Sequence, residues 1–201
     1  MSRTVDEKVH QKKRQHILKA ARQILLKKGY SNTSMLDVAS AAGISRGGLY
    51  LYFSSVEEIM QTILIEKDQH RFDPIRAAII DKQDFLQVLD QYLTIQKQRL
   101  LNISKSLLMS GYEYYAFEKS ASSQEFLTKS LADTRRTVLG LLMLGVDQEK
   151  MHDQQIEDLA DYCILTIEGL SLFCYLHQAD EKYINRQLAL LKKTIMNNKR
   201  N

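Results

Sequence analysis

The chain predicts an all-α protein, with an N-terminal three-helix head followed by a larger helical body. Three observations point there. Apolar residues recur at steps of three and four through most of the 201 residues. Proline occurs once and glycine eight times, too sparsely to interrupt helices often. Near the N-terminus, Gly43 separates two short amphipathic stretches in the manner of two helices joined by a tight turn. A hydrophobic content of 44% in a chain of this length can bury a sizeable core. The expected division is a head over residues 1–54 and a body over 55–201.

The first helix is written by Ile17, Ala21, Ile24 and Leu25, and Gly29 ends it. Lys8, Lys12, Lys13, Arg14 and Lys19 lead into it. Such a basic run is either a solvated tail or an arm that touches phosphates or a minor groove, and both readings stand. The second helix starts at Ser34, whose hydroxyl can cap it, with Asp37 three positions on as the acidic half of a capping box. Aspartate is shorter than the usual Glu or Gln, which predicts a weaker box. Val38, Ala39 and Ala42 share one side as a packing surface of small residues, and Gly43 supplies the freedom that the turn needs. Ser45 caps the third helix, where Leu49 and Phe53 point inward.

The outward arc of that third helix carries Gly47 and Leu51 at its centre and Tyr50 and Tyr52 on its flanks. Two glycines in a first turn cost roughly 1 kcal/mol each, a cost accepted most readily where a surface must approach another body closely. A helix-turn-helix in the DNA major groove is such a case. Arg46 has the fork for guanine or phosphate, and the tyrosine hydroxyls can bond phosphate oxygens. Thr33, Ser34, Leu36, Ser45, Arg46, Gly47, Gly48, Tyr50, Leu51 and Tyr52 are the candidate DNA-contacting residues. The charge is distributed accordingly: residues 1–55 hold ten Lys/Arg against three Asp/Glu, and the remainder eighteen against twenty-one.

The stretch from about Gln15 to Leu64 resembles the N-terminal DNA-binding domain of the TetR family of bacterial transcription regulators. The resemblance rests on Gly29-Tyr30, Thr33-Ser34, Asp37-Val38-Ala39, Ala42 to Gly47, Leu49-Tyr50, Tyr52-Phe53 and Glu57-Glu58-Ile59. It covers about a quarter of the chain. Two positions depart from the pattern. Gly48 stands where threonine is usual and removes a hydroxyl contact, and Val56 stands where a lysine is usual and removes a phosphate contact.

Beyond Phe53 the chain reads as helix. Ser54 or Ser55 starts a fourth helix that reaches roughly His70 with Ile59, Met60 and Ile63 inside. Asp73-Pro74 marks a boundary, with Asp73 placed to cap the helix that begins there. Phe85, Leu86, Leu89, Tyr92 and Leu93 predict a helix from about Asp84 to Leu101. Phe126, Leu127, Leu131, Val138, Leu141 and Leu142 predict one from Ser123 to about Leu144. The resemblance implies an effector cavity among these helices, for which Tyr92, Met109, Tyr112, Tyr115, Phe117, Phe126 and Glu168 are the candidates. For most of them core and surface packing is the competing reading.

From Ile156 to Leu176 apolar residues lie almost all round the helix, which therefore needs cover on more than one side. The last helix carries Ile184, Leu188, Leu191 and Ile195 as a narrow stripe. The resemblance implies a homodimer through a four-helix bundle of these two helices, with Ile167, Leu170, Phe173, Ile184, Leu188, Leu191 and Ile195 at its seam. An internal core of a monomer is the alternative. Glu168 interrupts the apolar helix either as a satisfied polar contact at that seam or as the partner of a cationic effector.

Several features set limits. Cys163 and Cys174 share a helical face but stand roughly 16 Å apart along it, too far for a disulfide. Glu149 and His152 have the spacing of a di-iron ligand pair without a second copy. No catalytic set, phosphate loop or metal motif is evident, and no cofactor is expected. With no long apolar run and no apolar leader, the expected compartment is the cytoplasm. The resemblance implies a ligand-responsive regulator, a repressor that binds a palindromic operator as a homodimer and is released by a small molecule. An activator, or a regulator without a ligand, is the alternative, and a helical enzyme the least supported.

Overall fold

The computed structural model describes the backbone of residues 2–197, and their side chains except at 2–6 and 67–70. The described residues form helices and no strand: α1 (Ser2–Lys28), α2 (Met35–Ala42), α3 (Arg46–Tyr50), α4 (Val56–Arg71), α5 (Asp73–Ile80), α6 (Phe85–Leu101), α7 (Leu108–Phe117), α8 (Ala121–Asp147), α9 (Ile156–His177) and α10 (Glu181–Asn197). They divide into two compact units. One combines Met1–Lys67 with Lys105–Leu127, and the other combines Asp68–Ser104 with Thr128–Asn201.

The first unit is built on a cluster in which Ile17, Leu18, Leu25, Val38, Leu49 and Phe53 are joined by Ile59, Met60 and Ile63 of α4. Leu107 and Tyr114, far along the chain, belong to the same cluster. A division after residue 54 therefore runs through a continuous core. Tyr114 is fully buried, packs edge-on to Tyr30 at 5.3 Å and accepts a hydrogen bond from Gln61 Nε2 at 2.8 Å. Ser110 of α7 donates to the Leu25 carbonyl at 2.9 Å. Two carboxylates of this segment hold the turn after α1. Glu113 accepts from the Ser31 N–H at 3.0 Å and from its hydroxyl at 3.1 Å, and Glu118 accepts from the Tyr30 hydroxyl at 2.5 Å. Gly29, at φ 76°, leaves room for that carboxylate, since a Cβ there would stand 2.6 Å from the Glu113 oxygens.

The second unit is centred on α6, which packs against α5, α9 and α10. Asp84 caps α6 by accepting from the Gln87 N–H at 3.0 Å. Gln148, just past α8, accepts from the Phe85 N–H at 2.9 Å and donates to the Gln83 carbonyl at 2.8 Å, tying the start of α6 to the end of α8. Arg135 of α8 pairs with Asp161 and Glu157 of α9. α9 is long and apolar enough to cross a membrane, a composition it shares with core helices of soluble proteins, and its buried side packs on α6 and α10.

Some expectations are corrected here. Asp73 does not cap α5; the cap position is Phe72, which has no side-chain bond to offer, and Asp73 instead lies in the first turn and pairs with Arg76 at 3.2 Å. Leu86 and Leu131 are exposed, although their spacing suggested the core. The third helix ends at Tyr50, because the Tyr52 and Phe53 N–H groups both turn back to the Leu49 carbonyl. Glu149 and His152 lie between α8 and α9, and no metal-binding group occurs among the described residues. Cys163 and Cys174 are buried free thiols, and burial pushes the Cys163 thiol up to about 12.

Candidate nucleic-acid interface

The turn between α2 and α3 forms as its residues dictate. Ser34 has extended backbone and its Oγ accepts from the Asp37 N–H at 3.2 Å, while Asp37 Oδ2 accepts from the Ser34 N–H at 3.0 Å. The capping box is thus complete despite the short acid. Lys28 bonds the other Asp37 oxygen, and that bond with those from Ser34 lowers the Asp37 carboxyl to about 2. Gly43 adopts φ 65° and returns its N–H to the end of α2, the left-handed stop that only glycine makes without strain. Ser45 then opens α3, accepting from the Gly48 N–H at 3.0 Å.

Val38, Ala39, Ala42, Leu49 and Phe53 are all buried, so α2 and α3 are held by their inner faces. What remains outside is one continuous surface. Leu51 is 79% exposed and Leu36 65%, large apolar side chains with nothing of the chain to cover them. Arg46 stands beside Tyr50, its guanidinium 5.7 Å from the ring and within 3.5 Å of the hydroxyl. A Cβ at Gly47 would meet no protein atom, so the fold itself does not require glycine there. Gly48 differs, because a Cβ there would stand 3.1 Å from the Ser45 hydroxyl. Ser34 and Ser45 are exposed but spend their oxygens on the caps, and the Thr33 hydroxyl donates to the Gly29 carbonyl at 2.6 Å. Tyr52 is half-buried and stacks on His10 of α1, with ring centres 4.6 Å apart.

The other expected sites fall differently. Of the seven seam residues, Ile167, Leu170, Ile184, Leu188, Leu191 and Ile195 are buried inside the single chain, where α9, α10 and α6 meet. Phe173 is partly exposed and stacks on Tyr183 at 5.1 Å. The narrow stripe of α10 is a core stripe, and a second copy could reach it only by opening the unit. The face that α9 leaves to solvent is another one. Tyr162, Leu165, Gly169, Leu172 and Leu176 follow one another at alternating steps of three and four, and all are exposed. Periodicity locates a helix's inward stripe, whereas this second stripe needed the all-round apolarity of α9 to be taken at its word.

The expected effector residues are shared between the units. Met109, Tyr112, Tyr115, Phe117 and Phe126 belong to the first, where Tyr115 and Phe126 pack on the core and Phe117 is exposed. Tyr92 and Glu168 belong to the second. Tyr92 is buried beside Phe72, and desolvation raises its phenol well above the ordinary range. Glu168 has a partner within the chain, the guanidinium of Arg99 on α6 at 3.0 Å.

Residues 17–63 match the family described as "Bacterial regulatory proteins, tetR family", and residues 88–185 match "Tetracyclin repressor-like, C-terminal domain". The chain is 27% identical over 198 residues to the HTH-type transcriptional regulator YfiR of Bacillus subtilis, covering 94% of this chain and 95% of that protein. It is 24% identical to the HTH-type transcriptional repressor BepR of Brucella suis over 173 residues, 82% of this chain and 80% of that one. Among solved structures it resembles FadR from Bacillus subtilis in complex with stearoyl-CoA. The TM-score is 0.73 at 18% identity, covering 88% of this chain and 96% of that one.

Proposed function

This chain belongs to the TetR family of bacterial regulatory proteins, a family of DNA-binding transcription regulators, and we propose that it is a ligand-responsive repressor acting as a homodimer on a palindromic operator. The observation that carries the DNA-binding part is the exposed arc of Leu36, Arg46, Gly47, Tyr50 and Leu51 on a capped helix-turn-helix. That arc enters the major groove. Arg46 supplies its hydrogen-bonding fork, Tyr50 and Tyr52 fix register on phosphates, and Leu36 and Leu51 press on thymine methyls. The serines and Thr33 act by holding the turn.

Two copies place two heads on successive turns of the groove. The exposed stripe of α9 supports this reading, since its steps of three and four are those of helices that pack at a small angle. BepR, a relative, is named a repressor, and FadR, of the same fold, is in complex with stearoyl-CoA. The first supports repression and the second a helical body that takes an effector, and that effector releases the DNA by favouring a head spacing that no longer fits the half-sites. The protein acts in the cytoplasm, where its operator lies.

Selection of bound fragments from random duplex DNA tests the reading directly. A palindromic consensus is expected, and no enrichment would refute it. With that operator in hand, exchanging thymines for uracils removes only methyl groups. At the one or two positions under Leu51 and Leu36 the affinity should fall several-fold; unchanged affinity at every position would remove the methyl contacts. Gly47→Ala offers a second measure. The head should gain roughly 0.5–1 kcal/mol of stability, since a Cβ there meets no protein atom. Operator binding should weaken at least tenfold, because the methyl group holds the arc off the groove. Unimpaired binding by this variant would mean that the centre of the arc is not where DNA approaches.

A further inference from the structure

α1 continues well past the core that it serves. Among its described side chains the first buried one is Ile17, and every residue from Glu7 to Lys13 is exposed. These nearly two turns hold three lysines, one histidine and one glutamate, and none of the lysines meets a carboxylate among the described residues. A short helical stretch with no buried face gains little from packing, so its residues are spent on something other than the core. One contact fixes its position. His10 stacks on Tyr52 at 4.6 Å with the rings 30° apart, and Tyr52 directly follows the outward arc of α3. The free turns of α1 therefore stand beside the end of the recognition helix. Arg14 prolongs the tie, its guanidinium 4.7 Å above the Phe53 ring and bonded to Thr62.

Resting on the reading of α3 as the groove-binding helix, we infer that the turns of α1 from Glu7 to Lys13 form a second DNA-binding surface, which holds the phosphate backbone beside each half-site. Lys8 and Lys12 stand about 6 Å apart along the axis, one turn from each other, with Lys13 on the neighbouring face. Each strand of duplex DNA offers one phosphate per about 3.4 Å of duplex axis, so such a row reaches neighbouring phosphates of one strand. Helical form also decides between the two targets open to a basic arm. An α-helix with its side chains is about 10–12 Å across, whereas the minor groove is only about 6 Å wide. A helical arm lies along the backbone and reads no bases. It adds affinity that is salt-dependent and indifferent to sequence.

The test compares the full-length protein with Lys8→Gln/Lys12→Gln/Lys13→Gln, which alters only exposed side chains. Affinity for the selected operator is measured from low to moderate salt, on duplexes with long flanks and on duplexes trimmed to the half-sites. Loss of two phosphate contacts at each half-site, four in the dimer, should make the slope of log K against log salt shallower by about 3–4, with at least roughly tenfold weaker binding on long flanks. On the trimmed duplex the two proteins should bind nearly alike. An unchanged slope and equal binding on long flanks would overturn this inference while leaving the regulator reading intact. A loss confined to A·T-rich flanks would overturn it too, since that is the mark of minor-groove insertion. Failure of the unaltered protein to bind any duplex would sink both readings.

Discussion

Leu165→Glu combined with Leu172→Glu should convert the proposed dimer into folded monomers and reduce operator affinity by roughly a thousandfold or more. Both leucines lie on the exposed stripe of α9, Leu165 at 72% and Leu172 at 38% exposure, so in a monomer a glutamate at either position keeps its stem on the helix and its carboxylate in solvent. In a symmetric bundle each change occurs twice. Four carboxylates would then face an apolar seam, and burying an unpaired carboxylate costs several kcal/mol. A single head keeps only about half of the binding free energy. Halving the energy of a nanomolar complex moves it into the range of tens of micromolar. Sedimentation equilibrium, circular dichroism and a gel-shift titration together decide the outcome. An intact dimer in the ultracentrifuge would place the interface elsewhere. Leu188→Asp is the informative contrast, since that residue is buried within one chain and its replacement should unfold the second unit rather than divide the dimer.

Tyr114→Ala should produce the largest loss of stability among single changes in the first unit, about 3–5 kcal/mol. Its ring is fully buried and touches its neighbour Tyr115 and, from two other stretches of the chain, Tyr30 and Phe126. In a unit of this size such a loss lowers the melting temperature by roughly 12–40 °C. Tyr114→Phe keeps the ring and removes only the hydroxyl that accepts from Gln61, which retains Glu57 as a second partner at 3.3 Å. That change should cost about 1 kcal/mol. Calorimetry on the full chain measures both. If Tyr114→Ala melts within a degree or two of the parent protein, then α7 is not part of the DNA-binding unit's core. DNA binding should be lost in parallel with the melting of this unit.

The helix-turn-helix was legible because its signals are local. Ser34, Asp37, Gly43 and Ser45 each act within four residues of themselves, through caps and a left-handed turn, and each does so here. The start of α6 near Asp84 was legible from its apolar periodicity, and the cap that Asp84 supplies there is equally local. The stripe of Ile184, Leu188, Leu191 and Ile195 was equally visible as a buried helix face, but periodicity does not say whether the cover comes from the same chain or another. It comes from the same unit. Nothing local announces that Glu113 and Glu118 reach back to Ser31 and Tyr30 across more than eighty residues. An expected cut after residue 54 stems from that blindness. For the same reason the Met109–Phe117 aromatics read as packing for the most part, with cavity lining open for some, and nothing local shows that Tyr114 is the centre of a core whose other half is written far upstream.

A core assembled from Met1–Lys67 and Lys105–Leu127 has a consequence for the order in which the protein is made. The helix-turn-helix is made before α7, so when it forms Leu107, Tyr114 and the carboxylates that steady its turn are still untranslated. At about 5–20 residues per second, the remaining stretch of roughly 60 residues takes several seconds to appear. During that interval Tyr30, Ile59 and Ile63 have no partner from α7, and the apolar surface they form is open to chaperones or to neighbouring nascent chains. A nascent head is thus unfinished until the chain has passed Leu127, and a synonymous change that stalls translation between residues 68 and 104 would prolong its exposure without altering the protein.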